Sequence, residues 1–240
     1  MEILYLAIVV FLGGLLGTTA GFGASTIMIP IALLFYPLQE TLLFVGIIHF
    51  LGNVWKIVIF KKSIQWKLIL SFGIPGIVAG FLGASLVFRV SDVILSRILA
   101  GFIIFYVAYI ILKPSFKVRP NNFSAGVGGF LSGFMAGIFG MGGAVRSLFL
   151  STFNLPKEIY LVTGAAIALV IDISRLSTYI SSGTILEEKI LWSMFLFVPL
   201  SFIAARVAKL IVDKIPQKYF RTVVAVVLLI MAVKLLVLPK

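Results

Sequence analysis

Two glycine clusters interrupt the apolar sequence of this chain: Gly21-Phe22-Gly23-Ala24-Ser25 and Gly140-Met141-Gly142-Gly143-Ala144. Each cluster follows a long apolar stretch and precedes a short one, so each lies where a membrane helix would otherwise continue. Irregular backbone at membrane depth is tolerated only where protein buries it or where it lines a polar cavity. Two such interruptions in corresponding halves of a chain are typical of a transport site.

Composition indicates an integral membrane protein. The 240 residues are 61% hydrophobic and 12% charged, with a mean hydropathy of +1.20, which is outside the range of soluble domains. A membrane span needs roughly 20 apolar residues, and only 24–36 and 143–153 are too short to cross comfortably. The apolar stretches are 3–20, 24–36, 41–60, 64–88, 93–112, 123–139, 143–153, 159–180, 188–212 and 219–238.

Several function classes are disfavoured by residue content. The net charge of +12 comes from basic residues between apolar stretches, without the aromatic-interleaved patch of a nucleic-acid binder. There is no cysteine and one histidine, so we predict no metal site and no cofactor. An enzyme would need a nucleophile with a base, or a metal cluster, inside the spans. A cation transporter is disfavoured because Asp172 is the only acid deep in a predicted span.

The chain is duplicated. Residues Ile74–Leu112 match Val198–Leu236 without a gap, and a polar segment with two prolines, 113–122, separates the halves. We therefore predict a first transmembrane repeat over 1–112, a linker over 113–122 and a second transmembrane repeat over 123–240. Together the repeats are expected to form one transport domain.

The distribution of basic residues favours helical hairpins. If eight long stretches each crossed once, Lys and Arg would divide eleven to nine between the two sides. If each glycine cluster is the tip of a hairpin that enters and leaves on one side, the division becomes fourteen to six, a positive-inside bias. We predict an all-α polytopic protein of two inverted repeats, each a glycine-tipped hairpin followed by three transmembrane helices. Both termini are then outside the cell membrane.

Each cluster places a helix N-terminus, at about Ala24 and Ala144, inside the membrane. Unpaired backbone N–H groups and the positive end of the helix dipole there can bind an anion. The alternative is close helix packing, which we favour for Gly13, Gly17, Gly80 and Gly83. The predicted substrate-binding residues of the two clusters are Gly21, Phe22, Gly23, Ala24, Ser25, Thr26, Gly140, Gly142, Gly143 and Ala144.

Polar side chains inside the spans form a second predicted group. His49, Asn53 and Lys56 share one helix face, and Asp172 and Arg175 occupy the corresponding face in the second half. Such residues usually face the protein interior or a cavity, so Asn53, Lys56 and Arg175 are candidate substrate ligands.

Each member of this group also has a structural interpretation. Lys56 can snorkel to the headgroups, Asp172 can pair with Arg175 instead of coupling an ion, and His49 can be a packing residue instead of a titrating one. Arg146 lies in the predicted first turn of the second short helix. A cation is unfavourable there unless an anion offsets it, so Arg146 is either an anion ligand or a residue of the cytoplasmic mouth.

At these residues the chain resembles the sulfite exporter TauE/SafE family, also known as the toluene sulfonate uptake permease group. The family pattern is an apolar helix, a Gly-x-Gly-Gly-Gly cluster and a later proline, present in both halves. Gly21–Ser25 with Pro30 matches the first copy and Gly137–Gly143 the second, followed by Thr163-Gly164. Two departures are Gly-Ala-Ser in place of triple glycine in the first cluster, and Leu150 in place of the second proline.

The resemblance implies a secondary transporter for a small sulfur-containing anion such as sulfite, a sulfonate, sulfoacetate or thiosulfate. The anion is expected at the glycine-rich helix N-termini near the midplane, with alternating access and a proton or sodium gradient as the coupling force. A passive anion channel of the same architecture is the alternative. The expected partners are the small anion and the lipid bilayer. The sequence leaves a homo-oligomer, the direction of transport and the exact anion open.

Overall fold

The structure, a computed structural model, describes residues 2–21, 23–112 and 118–211, and of the remainder 226, 228–230, 232–234 and 236–237. These residues form helices and no strand, which confirms the predicted all-α class for the described part of the chain. The helices are α1 (Glu2–Ala20), α2 (Ser25–Ala32), α3 (Leu38–Phe60), α4 (Trp66–Val87), α5 (Asp92–Leu112), α6 (Asn122–Phe139), α7 (Gly142–Ser151), α8 (Lys157–Ser181) and α9 (Glu188–Ile211).

Seven of these helices are long and apolar enough to cross a membrane, which confirms a multi-pass protein. The exceptions are the two short helices, α2 and α7. Most of the predicted stretch 219–238 lies outside the described residues, as do 113–117 of the linker.

The helix boundaries follow local sequence signals. Asn121 accepts a hydrogen bond from Ser124 N at 2.8 Å, and Ser124 Oγ accepts one from Asn121 N at 3.2 Å, so a capping box begins α6. Pro37 and Pro156 directly precede α3 and α8, where a missing backbone N–H costs nothing. Lys61 ends α3 in the left-handed conformation, with φ of 49°.

Each short helix runs back along the long helix before it. An added Cβ on Gly13 of α1 would lie 2.5 Å from Met28 Cγ of α2, and the Tyr5 and Phe35 rings stack with centroids 6.4 Å apart. In the second half, a Cβ on Gly128 of α6 would lie 2.6 Å from Phe149 Cβ of α7. Each glycine cluster is therefore the tip of a helical hairpin.

Polar contacts define two ends of the helix bundle. Lys189 Nζ donates to Glu2 at 2.5 Å, Gln39 Nε2 donates to Asp92 at 2.9 Å and Glu187 N donates to Glu40 at 2.7 Å. The starts of α1, α3, α5 and α9 therefore lie at one end. We call this the acidic end, after Glu2, Glu40, Asp92, Glu187 and Glu188.

The opposite end joins the end of α3 to the start of α8 and the end of α9. Lys62 Nζ lies 3.0 Å from a Glu158 oxygen, and Lys209 Nζ donates to Ile59 O at 2.8 Å. We call this the basic end, after Lys61, Lys62, Lys67, Arg119, Lys157, Arg206 and Lys209. The hairpin α1–α2 opens at the acidic end and the hairpin α6–α7 at the basic end.

The most extensive helix contact joins α4 to α6 through glycines. Added Cβ atoms on Gly129, Gly133 and Gly137 would lie 2.1, 2.2 and 2.2 Å from the carbonyl oxygens of Phe72, Gly76 and Gly80. The two backbones therefore touch along a stripe that repeats every fourth residue, as in small-residue packing of membrane helices. The packing interpretation of Gly13, Gly17, Gly80 and Gly83 agrees with their contacts.

The main helix contacts are unchanged when the two halves are exchanged. Helix α4 packs on α6 as α9 packs on α1, and α4 contacts α8 as α9 contacts α3. Exchange of the halves converts α3 into α8 and α2 into α7, so the contacts of α3 with α8 and of α2 with α7 are each converted into themselves. These two pairs therefore lie at the centre of the arrangement. Both glycine clusters precede the central short helices.

Candidate functional site

The two hairpin tips meet in the interior. An added Cβ on Gly23 would lie 3.9 Å from Gly143 Cα, 3.2 Å from His49 Nε2 and 3.9 Å from Arg146 Nη2. Gly23 has a φ of +93°, a conformation that glycine adopts without steric cost. The sequence argument that the two tips can converge is consistent with this geometry, and a histidine and an arginine lie beside the junction.

Both short helices begin without a side-chain cap. Ala24 precedes α2 and Met141 precedes α7, and neither accepts a hydrogen bond from a first-turn N–H through its side chain. The hydroxyl of Ser25, the first residue of α2, is buried and has no hydrogen-bond partner. The tip of α2 therefore presents donors that an acceptor can complete.

The start of α7 differs from the sequence prediction. The helix begins at Gly142, two residues before the expected Ala144, because the end of α6 is closed by the bonds Gly140 N to Ala136 O and Met141 N to Met135 O. Arg146 is therefore the fifth residue of α7 and lies just beyond its first turn. The prediction that Arg146 lies within that turn was wrong.

A buried chain of polar contacts links α3 to α8. Lys56 Nζ donates to Asn53 Oδ1 at 3.0 Å, and the Asn53 amide nitrogen lies 3.2 Å from His49 Nδ1. His49 Nδ1 is 2.7 Å from Asp172 Oδ2, and Arg175 Nε donates to Asp172 Oδ1 at 2.7 Å. The second predicted group is thus one continuous network. Lys56 is only 7% exposed, so the snorkelling interpretation does not describe it.

Arg175 and Tyr179 bind the end of α6 on the far side of this network. Tyr179 Oη donates to Gly137 O, and Arg175 Nη1 lies 3.5 Å from Ala136 O. A cation is favourable at a helix C-terminus because the last carbonyls carry the negative end of the dipole. Since α8 runs from the basic end to the acidic end, both residues lie on the acidic-end side of Asp172.

Positive charge exceeds negative charge in this buried region. Lys56, Arg146 and Arg175 are 7%, 7% and 0% exposed, and the one buried acid among them, Asp172, uses its two oxygens for His49 and Arg175. No carboxylate in the described part of the chain forms an ion pair with Lys56 or Arg146. An unpaired buried charge is costly, so this region favours an anion.

A small cavity lies between the tips and the basic end. Its volume is about 20 Å³, which is room for a water-sized molecule. A second cavity of about 10 Å³ reaches Lys56 from the side of Thr18, His49 and Ser201. The polar and glycine lining of the larger cavity includes Gly21, Gly23, Asn53, Lys56, Arg146 and Tyr160.

Several predicted site residues lie outside the lining of this cavity. Ser25, Thr26 and Ala144 are buried at the starts of the short helices, whereas Phe22 lies outside the described residues. A Cβ on Gly140 would lie 2.0 Å from Ile29 Cδ1, and one on Gly142 would lie 2.2 Å from Ser132 O. These two glycines therefore permit helix packing and do not line the cavity.

The cavity lining also contains residues that the sequence argument did not propose as ligands: Gly17, Ser147, Leu150, Tyr160, Leu161, Gly164 and Ala165. Tyr160 and Gly164 are four residues apart on α8, so they share a helical face with each other. Gly164 belongs to the Thr163-Gly164 pair of the family pattern, whereas the spacing of Tyr160 from Asp172 did not single out Tyr160. Ser147 follows Arg146 directly, and no helical spacing singled it out.

Comparison with known families identifies a match over nearly the whole chain. Residues 6–235 match the sequence model of the family described as sulfite exporter TauE/SafE. The match spans both halves and both glycine clusters. Neither the curated proteins nor the solved structures gave a significant match to the chain.

Proposed function

Because the chain belongs to the sulfite exporter TauE/SafE family of membrane transporters for sulfur anions, we propose that it is a secondary transporter that moves one small sulfur-containing anion by alternating access. Sulfite, sulfonates, sulfoacetate and thiosulfate are the proposed substrate class. One observation carries the proposal: two buried cations without a carboxylate partner, Lys56 and Arg146, line a cavity beside two uncapped helix N-termini.

We propose that the anion binds between the hairpin tips. Backbone N–H groups at the starts of α2 and α7 and the hydroxyl of Ser25 would donate to its oxygens. Lys56 and Arg146 would neutralise its charge, with Asn53 holding Lys56 in place through the 3.0 Å hydrogen bond. The cavity of about 20 Å³ has room for a water-sized molecule, and we propose that its lining moves when the larger substrate enters.

The proposed architecture is an inverted repeat. Two observations support it: the hairpins open at opposite ends of the bundle, and the main helix contacts are preserved when the halves are exchanged. We propose that the basic end is cytoplasmic, since cytoplasmic loops are rich in Lys and Arg. Both termini then lie outside the cell membrane, as the topology prediction has it.

Alternating access would exchange the roles of the two sides. The cavity lies on the basic-end side of the tips, whereas Arg175 and Tyr179 fill the acidic-end side. Movement of one repeat against the other would separate Arg175 and Tyr179 from α6 and close the region around Tyr160. Coupling to a proton or sodium gradient and assembly into a homo-oligomer remain predictions.

Transport by purified protein in liposomes tests the proposal. We expect saturable uptake of labelled sulfite, thiosulfate or sulfoacetate, accelerated when the same anion is loaded inside. High conductance without this counterflow would indicate a passive channel instead. Absence of binding and movement for every sulfur anion would contradict the substrate class.

A pair of serine variants tests the location of the site. Ser25→Ala removes the unpaired hydroxyl at the tip, so it should weaken anion-induced thermal stabilisation while leaving the ligand-free protein unchanged. Ser85→Ala, which removes an exposed hydroxyl bonded to Phe81 O at 2.8 Å, is the matched control. If the anion stabilised both variants equally, the Ser25 hydroxyl would not be a ligand of the anion.

A further inference from the structure

We propose that this site selects its substrate by charge, binding dianions in preference to monoanions of similar size, and that Lys56 and Arg146 determine the selection. The inference rests on the proposed function and adds the valence of the substrate. It starts from the balance of buried charges around the hairpin tips.

Asp172 and Arg175 cancel each other. Arg175 Nε donates to Asp172 Oδ1 at 2.7 Å, and the other carboxylate oxygen lies 2.7 Å from His49 Nδ1. With a neutral His49, the network leaves two positive charges without a counter-charge, those of Lys56 and Arg146. A protonated His49 would add a third positive charge and strengthen the same preference.

Lys56 and Arg146 act on the same cavity. They enter it from different helices, α3 and α7, and an added Cβ on Gly23 would lie 3.9 Å from Arg146 Nη2 and 3.2 Å from His49 Nε2. Lys56 Nζ donates to Asn53 Oδ1, which leaves further ammonium hydrogens for a ligand. Arg146 brings a planar guanidinium, which suits the oxygen pairs of sulfonate and carboxylate groups.

A dianion offsets both cations, whereas a monoanion leaves one of them uncompensated. In a buried site that difference is large, because Coulomb interactions are stronger there than in water and an unpaired buried charge is costly. The positive ends of α2 and α7 act in the same direction. In the ligand-free protein the two cations repel each other, so replacing either one with a neutral residue should not lower the unfolding temperature.

Two pairs of closely similar anions provide the test. Sulfate and methyl sulfate differ by one charge and one methyl group, as do sulfoacetate and its methyl ester. Dissociation constants would be measured on the purified full-length protein by thermal shift and by competition for transport. We expect the dianion of each pair to bind at least about tenfold more tightly.

Neutral variants then assign the preference to residues. In Lys56→Gln and Arg146→Gln the ratio between dianion and monoanion should fall about tenfold, while monoanion binding is retained. Lys62→Gln is the control, because Lys62 is exposed and pairs with Glu158 at 3.0 Å. This control should keep the wild-type ratio.

The outcomes separate this inference from the proposed function. If none of the four anions and no other sulfur anion binds, the proposed function fails and the inference fails with it. If both members of each pair bind the wild type equally, the proposed transport function is retained and the proposed preference for dianions is wrong. If the ratio is unchanged in both Gln variants, Lys56 and Arg146 do not determine it. An unfolding temperature well below that of the wild type in both variants would show that the two cations are structural.

Discussion

Asp172 holds together the two halves of the polar network at the centre of the bundle. Its oxygens contact one residue from α3, His49, and one from its own helix, Arg175, at 2.7 Å each. A buried ion pair adds little to folding stability compared with an apolar pair of the same volume. Removal of one partner, however, leaves the other charge buried without a counter-charge, which is strongly destabilising. The Asp172–Arg175 pair is therefore sensitive to the loss of one partner and tolerant of the loss of both.

A double-mutant cycle tests this dependence. We expect Asp172→Leu to lower the free energy of unfolding by about 3–5 kcal/mol, since it leaves Arg175 buried without a counter-charge. The double variant Asp172→Leu with Arg175→Leu should lose much less than the sum of the two single variants. Thermal or denaturant unfolding in detergent gives the comparison, and additive losses would contradict the coupling.

Residues in similar sequence contexts have different roles at the hairpin tips. Gly23 and Gly142 both belong to the glycine clusters, yet Gly23 borders the cavity and Gly142 packs against Ser132 O. Sequence identifies both as glycines at a break, because that signal is local. Which backbone a glycine approaches depends on the packing of another helix, which a single sequence does not contain.

At the scale of elements, the contact between α4 and α6 stands out. Three glycines of α6 each approach a carbonyl oxygen of α4 so closely that a Cβ would have to displace the backbone. Lipid offers membrane helices no hydrophobic gain on association, so such packing holds them together through van der Waals contact. This interface fixes α6, and through it the carbonyls that Arg175 and Tyr179 bind.

A pair of glycine variants tests the interface. Gly133→Ala places a Cβ 2.2 Å from Gly76 O and should destabilise the protein by at least about 2 kcal/mol. Gly101→Ala on α5, where nothing lies within 4 Å, should leave stability unchanged or raise it slightly. Unfolding temperatures in detergent make the comparison, and equal temperatures for the two variants would show that α4 and α6 can separate without cost.

Sequence predicts the helices well because hydropathy and glycine clustering are properties of the linear chain. The stretches 41–60 and 159–180 became α3 and α8 with small shifts at their ends. The helix against which each glycine-lined face packs could not be predicted in the same way. Spacing identifies the face, but the pairing of α4 with α6 arises from how the halves fit together.

For the whole molecule, the separation of charge between the two ends is the feature that concerns orientation. Glu2, Glu40 and Asp92 lie at one end, and the loop that carries Lys61 and Lys62 lies at the other. With the basic end in the cytoplasm, the segment between α8 and α9 faces outward.

Single cysteines test this orientation directly, because the chain has none of its own. Ser182→Cys, after the end of α8, should react with a membrane-impermeant maleimide in intact cells. Ser63→Cys, in the exposed loop between α3 and α4, should react only after the membrane is permeabilised. The reverse pattern would invert the topology and place both termini inside.

Helices of one half pack mainly on helices of the other half, and this has a consequence for the order of synthesis. Helix α4 finds its main partner, α6, in a part of the chain that is translated later, and α1 finds α9 later still. During biogenesis α4 and α1 leave the ribosome before α6 and α9, the helices on which they pack. Their glycine-lined face must then meet lipid or the insertion machinery, and the protein becomes compact only when the second half arrives.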